Sequence, residues 1–263
     1  MYVIIDIIIY LFIYSFLGWC CETVYCSFGA GRFVNRGFLN GPFCPVYGFG
    51  AVFTILALHS FESTLTVFFF GMIITSTLEY ITAFMMEKFF NAKWWDYSNK
   101  RFNIHGRVCL LNSTLFGFLC IFLMFDIHPL ISGVVATFNF DFKLGFTCAL
   151  MMYFVADATV TIISVLGINK RLALIWTIKN DLMEAYHMVN DKLEIEQMIE
   201  VLQNKNIYDE RIKLLKEKIS GSGTMQKRLL RAFPSLSSLK HNESLAAVKK
   251  SIKNKMNKDR SIK

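Results

Sequence analysis

The sequence predicts an all-α, polytopic membrane protein of about five transmembrane helices, N-terminus outside, with a cytoplasmic helical tail. Three observations carry that prediction. The 263 residues are 54% hydrophobic and 15% aromatic, and mean hydropathy is +0.41. Only 18% are charged, against about a quarter in soluble domains. The charge is also unevenly placed. Residues 1–166 hold 8 Lys/Arg and 9 Asp/Glu, while residues 167–263 hold 20 and 11. This composition excludes disordered, collagenous and ordinary soluble chains. It divides the chain into an apolar bundle (1–166), amphipathic cytoplasmic helices (167–222) and a basic, partly disordered tail (223–263).

A bilayer-crossing helix needs about 20 mostly apolar residues. The first stretch runs from about Tyr2 to Cys26 and contains Asp6 and Glu22. No Lys or Arg precedes it, so it lacks the basic start of a signal peptide and is expected to be retained. The second runs from about Gly41 to His59, and the third from about Leu65 to Met86 with Glu79 inside it. The fourth covers Arg107 to Phe125, and the fifth Leu144 to Leu166 with Asp157. His128 to Phe138 is apolar but short, so a half-helix or re-entrant piece is expected there, with a sixth span left open.

Lys and Arg beside spans stay cytoplasmic. After successive spans they number 2, 0, 5, 1 and 20. With five spans this alternation puts the N-terminus outside and the tail in the cytoplasm. The seven cysteines show no metal-ligand spacing and read as small membrane-compatible residues.

That topology gathers the unusual residues on the cytoplasmic side. Glu22 and Glu79 sit within apolar runs, where a charge costs about 2.5–3.5 kcal/mol on insertion scales. They must face the bundle interior, pair with a cation or carry a proton. Arg36 and Arg107 stand at the same level. Together the four form either a bridge that locks the bundle or a polar pocket open to the cytoplasm. Asp157 is a candidate third acid, and snorkelling accounts for Asp6. Asp96, Asn103 and His105 lie in the basic loop after the third span, beside the interfacial anchors Trp94 and Trp95. His105, Asp96, Glu79 and Cys44 could be assembled into an acid–base site, but no spacing specifies one. Gly41, Pro42, Pro45 and Gly48 supply either tight packing or an irregular hinge, with Pro42 suited to the first turn of a helix.

No nucleophile elbow, zinc-protease motif or phosphate-binding loop occurs. No cofactor or metal is expected, and no catalytic residue can be assigned from these motifs. In the tail, Ile175, Ile178, Leu182, Tyr186, Val189 and Leu193 follow helical steps of three and four. A break is expected at Asn204–Asn206, then a second helix using Ile207, Ile212, Leu215 and Ile219, and a flexible stop at residues 220–223. Leu229 to Pro234 is a short amphipathic motif, and seven Lys or Arg fall within the last fifteen residues. Membrane lipids are the expected partner of this basic end. Nucleic acid is not expected, because no stacking or groove-reading pattern appears.

Four motifs taken together are specific. They are Gly18-Trp19-x-x-Glu22, residues 36–48 (Arg36-Gly37-Phe38 through Gly41-Pro42-x-Cys44-Pro45-x-Tyr47-Gly48), Trp94-Trp95-Asp96-Tyr97-Ser98, and Asn103-Ile104-x-Gly106-Arg107. In them the chain resembles the putative ABC-transporter type IV (CmpB-like) permease family of bacterial membrane proteins, over roughly residues 10–166. The Leu229–Pro234 segment also looks like that family's tail. The resemblance implies a multi-pass subunit of the plasma membrane that takes part in transport. A separate ATPase would dock on it, since this chain has no nucleotide-binding loop, and a homo-oligomer stays open. Two rival readings remain from the residues themselves. One is a membrane-embedded enzyme acting on lipid head groups. The other is a scaffold or regulator recruiting partners through its tail.

Overall fold

The computed structural model describes residues 4–185, 194–204 and 210–261. The chain separates into two units. One comprises Met1–Met86 and Trp94–Thr161, and the other Glu87–Lys93 and Ile162–Lys263.

The first unit begins with α1 (Ile4–Ala30), 27 residues without a proline and roughly 40 Å long. The next helix, α2, spans only Pro45–Leu58. At roughly 21 Å it falls short of the roughly 30 Å hydrocarbon layer. The expected span from Gly41 to His59 is therefore not one helix. Pro45 explains the late start: with no N–H to give, it sits in the first turn of α2. Pro42, expected in a helical first turn, lies outside α2 instead. It is the middle of a tight turn closed by Phe43 N donating to Gly41 O at 2.9 Å.

α3 covers Thr64–Phe90. After it come β1 (Ala92–Lys93), β2 (Asn103–Ile104) and β3 (Val108–Cys109), each of two residues. β2 and β3 pair antiparallel, Asn103 opposite Cys109 and Ile104 opposite Val108. Then α4 (Leu110–Phe122), a π-helical turn (Leu123–Ile127) and α5 (His128–Ala136) form one uninterrupted 27-residue apolar helix. This corrects the reading of His128–Phe138 as a separate half-helix. Pro129 cannot donate its backbone hydrogen bond and would clash one turn back. The wider π turn just before it absorbs that defect and lets the helix continue.

α6 runs unbroken from Phe140 to Ala185. Among the described residues four helices are thus long and apolar enough to cross a membrane, plus the shorter α2, where the sequence suggested five full spans. Their outward faces carry large apolar side chains, such as Phe69, Phe70 and Ile73 on α3 and Phe118, Leu119 and Phe122 on α4. A patch of that extent suits lipid. Inside, Ile9, Tyr10 and Tyr14 of α1 meet Ala51, Val52 and Ile55 of α2, with Leu123 and Val135. A second cluster joins Phe12, Leu39 and Phe43 to Leu150, Phe154 and Ala158 of α6.

In the second unit, the later part of α6 buries Val165, Ile168, Leu172, Ile175, Ile178 and Leu182. The expected seam residues Tyr186, Val189 and Leu193, the break at 205–206 and Ile207 lie outside the described residues. α7 (Ile195–Asn204) and α8 (Glu210–Ser220) follow, with Ile212, Leu215 and Ile219 buried. Next come α9 (Thr224–Ala232), β4 (Ser237–Ser238) and α10 (Asn242–Ser261), with β4 paired antiparallel to β1. Arg171 ties α6 to the end of α8. It donates to Lys218 O, to Ile219 O at 2.9 Å and to Ser222 Oγ at 2.7 Å, filling carbonyls that a helix C-terminus leaves open.

Candidate functional site: a broken crossing lined by acids and tyrosines

Ser15, Trp19, Thr23 and Ser27 recur every four residues, so they form one stripe on α1. The irregular segment from 31 to 44 lies along that stripe. Val34 N donates to Ser27 Oγ at 2.9 Å, and Arg36 N points at Thr23 Oγ1, 3.5 Å away. Trp19 Nε1 donates to Asn35 Oδ1 at 2.8 Å. Cys44 N donates to Ser15 O at 2.9 Å. As the chain advances from 34 to 44, its partners on α1 retreat from 27 to 15. The segment therefore runs antiparallel to α1, and α2 continues in the same direction. Gly48 makes this possible: a Cβ there would overlap Ser15 Oγ and Leu11 O. One return along α1 is thus half irregular chain and half helix. Non-helical backbone at this depth is tolerated only where protein or a water-filled cavity supplies its hydrogen bonds.

Asp157 of α6 holds the tip of the irregular segment. Its carboxylate accepts Asn40 N at 3.0 Å, Gly41 N at 2.7 Å and Thr161 Oγ1 at 3.4 Å. It acts here as an anchor for backbone.

The polar groups gather where irregular chain gives way to α2. Glu22 Oε1 accepts the Tyr47 hydroxyl at 2.6 Å. Glu22 Oε2 faces Arg36 Nε at 3.7 Å and Cys26 Sγ at 4.0 Å. Glu79 of α3 is 8% exposed, and its Oε2 has no hydrogen-bond partner. Tyr97 stands within hydrogen-bonding reach of Glu79 and of Asn112 on α4, and the Glu22 charge acts on both Glu79 and Tyr97. Burial pushes the Tyr97 phenol above its usual range, and the neighbouring Glu79 and Glu22 charges push it further.

The loop residues singled out from sequence have a different geometry. Asp96 accepts Ser98 N at 2.9 Å and the Ser98 hydroxyl. Asn103 donates to Ser98 O and Lys100 O and accepts Gly106 N at 3.0 Å. Gly106 takes φ +70°, where a side chain would also meet Asp96. Gly106 O then accepts Tyr97 N at 2.8 Å. These residues brace the turn that presents Tyr97. Arg107 donates to the Tyr80 hydroxyl at 2.8 Å and lies over the Tyr80 and Phe84 rings. His105 faces the same hydroxyl at 3.1 Å. So Glu22 meets Arg36 and Tyr47, with Glu79 close enough to feel the Glu22 charge, while Arg107 and His105 meet around Tyr80.

Two features escaped the sequence reading. Tyr47, Tyr97 and Asn112 complete the cluster, and their helical or turn setting could not be resolved before the chain path was known. His128, 7% exposed, is bonded to Tyr14 at 2.8 Å deep among the helices. The Tyr10 and Tyr14 spacing of four was its only signal. Asp6, expected to snorkel, pairs with Lys143 at 2.9 Å. Among the described residues no group of three His, Cys, Asp or Glu is spaced to hold a metal.

Long apolar helices, with an irregular segment packed along α1 beside Glu22 and an acid, Glu79, buried on α3, define the class as helical membrane proteins. The sequence profile of the family described as "Putative ABC-transporter type IV" matches residues 9–162, and the chain belongs to that family. Membership fits a membrane transporter component and suggests an ATPase partner. No curated protein matches the chain, and no solved structure does.

Proposed function

We propose that the chain is the permease-like membrane subunit of a transporter driven by a separate ATPase, with the Glu22–Arg36–Glu79 cluster as a polar pocket opening to the cytoplasm. The observation that supports it is the irregular backbone packed along Ser27 to Ser15 of α1 beside Glu22, together with Glu79 buried within an apolar helix. Discontinuous helices at buried polar sites are a recurring transporter device. Taken as one crossing, residues 31–58 complete five passes together with the four long helices. That count keeps the alternation of Lys and Arg, with the N-terminus outside and the basic tail in the cytoplasm. In this reading Asp157 and the Gly41–Gly48 segment form the hinge, and the tail meets anionic lipid of the plasma membrane.

Two measurements test the reading. Affinity purification of the tagged chain should retrieve an ATPase, and its absence from a well-folded preparation would remove the transporter assignment. Cys26 should react with a membrane-impermeant thiol reagent from the cytoplasmic side alone. Reaction from neither side would remove the pocket.

A further inference from the structure

We propose that this pocket binds the ammonium group of an amine, with Glu79 as the principal acceptor. The inference rests on the pocket reading above and gives it a ligand class. Its starting point is the unpartnered Glu79 Oε2, in a side chain more than nine-tenths buried. A carboxylate oxygen taken out of water needs a donor. The donors nearby are already committed. The Tyr47 hydroxyl is spent on Glu22 Oε1, and Arg36 faces Glu22 Oε2. Tyr97 has one O–H, lies near both Glu79 and Asn112, and cannot serve every oxygen. Among the described residues no uncommitted donor faces it, so the partner we assign is an N–H or O–H from outside the chain.

Charge narrows its nature. Glu22 pairs with Arg36, while among the described residues no cation pairs with Glu79, so an ionised Glu79 carries one uncompensated negative charge. A monovalent cation balances it, and an anion would add to it. Metal coordination is poorly served, because among the described residues no third acid, His or Cys completes a ligand set. An ammonium group instead brings both the positive charge and the N–H donors that Glu79 lacks. The tyrosine rings suit its carbon substituents, and Tyr47 meets Phe116 edge-on at 6.0 Å to extend that wall. Glu22 and Arg36, whose side chains are 31% and 21% exposed, are the accessible side of the cluster from which we take the amine to enter. Two sources carry this group: a free primary amine, or the head group of phosphatidylethanolamine.

The test uses the full chain in phosphatidylcholine nanodiscs, with Cys26 as reporter beside Glu22. Thiol labelling of each cysteine is read by peptide mass spectrometry. Ethylammonium chloride should slow Cys26 labelling about tenfold at ten times its Kd. Sodium chloride and tetramethylammonium, which has no N–H, should not. Glu79→Gln should abolish the protection, and Glu79→Asp, which keeps the charge, should weaken it. Protection in phosphatidylethanolamine nanodiscs without added amine assigns the lipid as the source, and protection only by the free amine assigns a soluble one. A reactive Cys26 that no ammonium probe protects overturns the ligand class and leaves the pocket standing. Equal protection in the Glu79→Gln chain also overturns it. If instead only the pH dependence of labelling differs between wild type and Glu79→Gln, the missing partner is a proton and the proposal fails.

Discussion

Removing the Asp157 carboxylate should release the tip of the irregular segment. In Asp157→Ala, Gly41 N and Asn40 N lose acceptors at 2.7 and 3.0 Å. The two losses are unequal. Gly41 is buried, so its N–H is left with no replacement, at about 1–3 kcal/mol. Asn40 is exposed, and water takes over its bond at little cost. Their sum, about 1–3 kcal/mol, raises the population of the detached segment roughly 5- to 150-fold. Asp157→Asn keeps one acceptor oxygen and should fall between. Hydrogen exchange followed by mass spectrometry in nanodiscs reads this directly, on peptides covering residues 35–47. Faster exchange should be confined to that segment, with α4 unchanged. Exchange at 35–47 within about twofold of wild type, under the worked factor, would refute the anchoring role and the hinge built on it.

Further outcomes follow from other contacts. Gly48→Val should lower the thermal midpoint in detergent, because its side chain would overlap Ser15 and Leu11 where α2 meets α1, a strain of about 1–3 kcal/mol. Tyr14→Phe removes the hydroxyl bonded to buried His128 and should destabilise by about 1–3 kcal/mol in a chemical-unfolding series. Arg171→Lys cannot reach the carbonyls and side chains that the guanidinium holds around residues 218–226, so limited proteolysis should cut sooner near residues 220–224. Tyr97 gives a pH dependence. Its folded value is raised, so the neutral phenol is favoured in the fold. Its stabilisation is therefore fully present below about pH 10 and is lost as pH rises toward the folded value. Tyr97→Phe should flatten the fall in thermal midpoint above that pH.

The membrane character and the positions of most helices were legible because hydrophobic length is a local property. Thr64–Phe90 and the apolar start of α6 could be read from composition alone. Helix continuity was harder. His128–Pro129 looked like a break, and only the π turn at Leu123–Ile127 keeps α4 and α5 in one line. In the opposite sense, Gly41–His59 looked continuous, yet its first residues are held off the helical path by Asp157 and Ser15. The second outcome depends on partners far along the chain, Ser15 and Asp157, which no window of neighbouring residues contains.

The candidate site divides the same way. Glu22, Arg36 and Glu79 stood out because a charge among apolar residues is costly wherever it ends up. Their roles were not visible. Asp157 was grouped with the acids and serves backbone amides. Arg107 was matched to the glutamates and instead lies on Tyr80 and Phe84. Asp96 and Asn103 were candidate chemistry and brace a turn.

By itself, then, the sequence determined that this chain partitions into a bilayer, and which few charges must be accommodated there. Transfer free energy depends on composition over about 20 residues. The tertiary structure decided which of those charges meet, which bind backbone and which carboxylate oxygen is left wanting a donor. Hydrogen bonds have directions, and only the path of the chain sets Tyr47 against Glu22 and Tyr97 against Glu79.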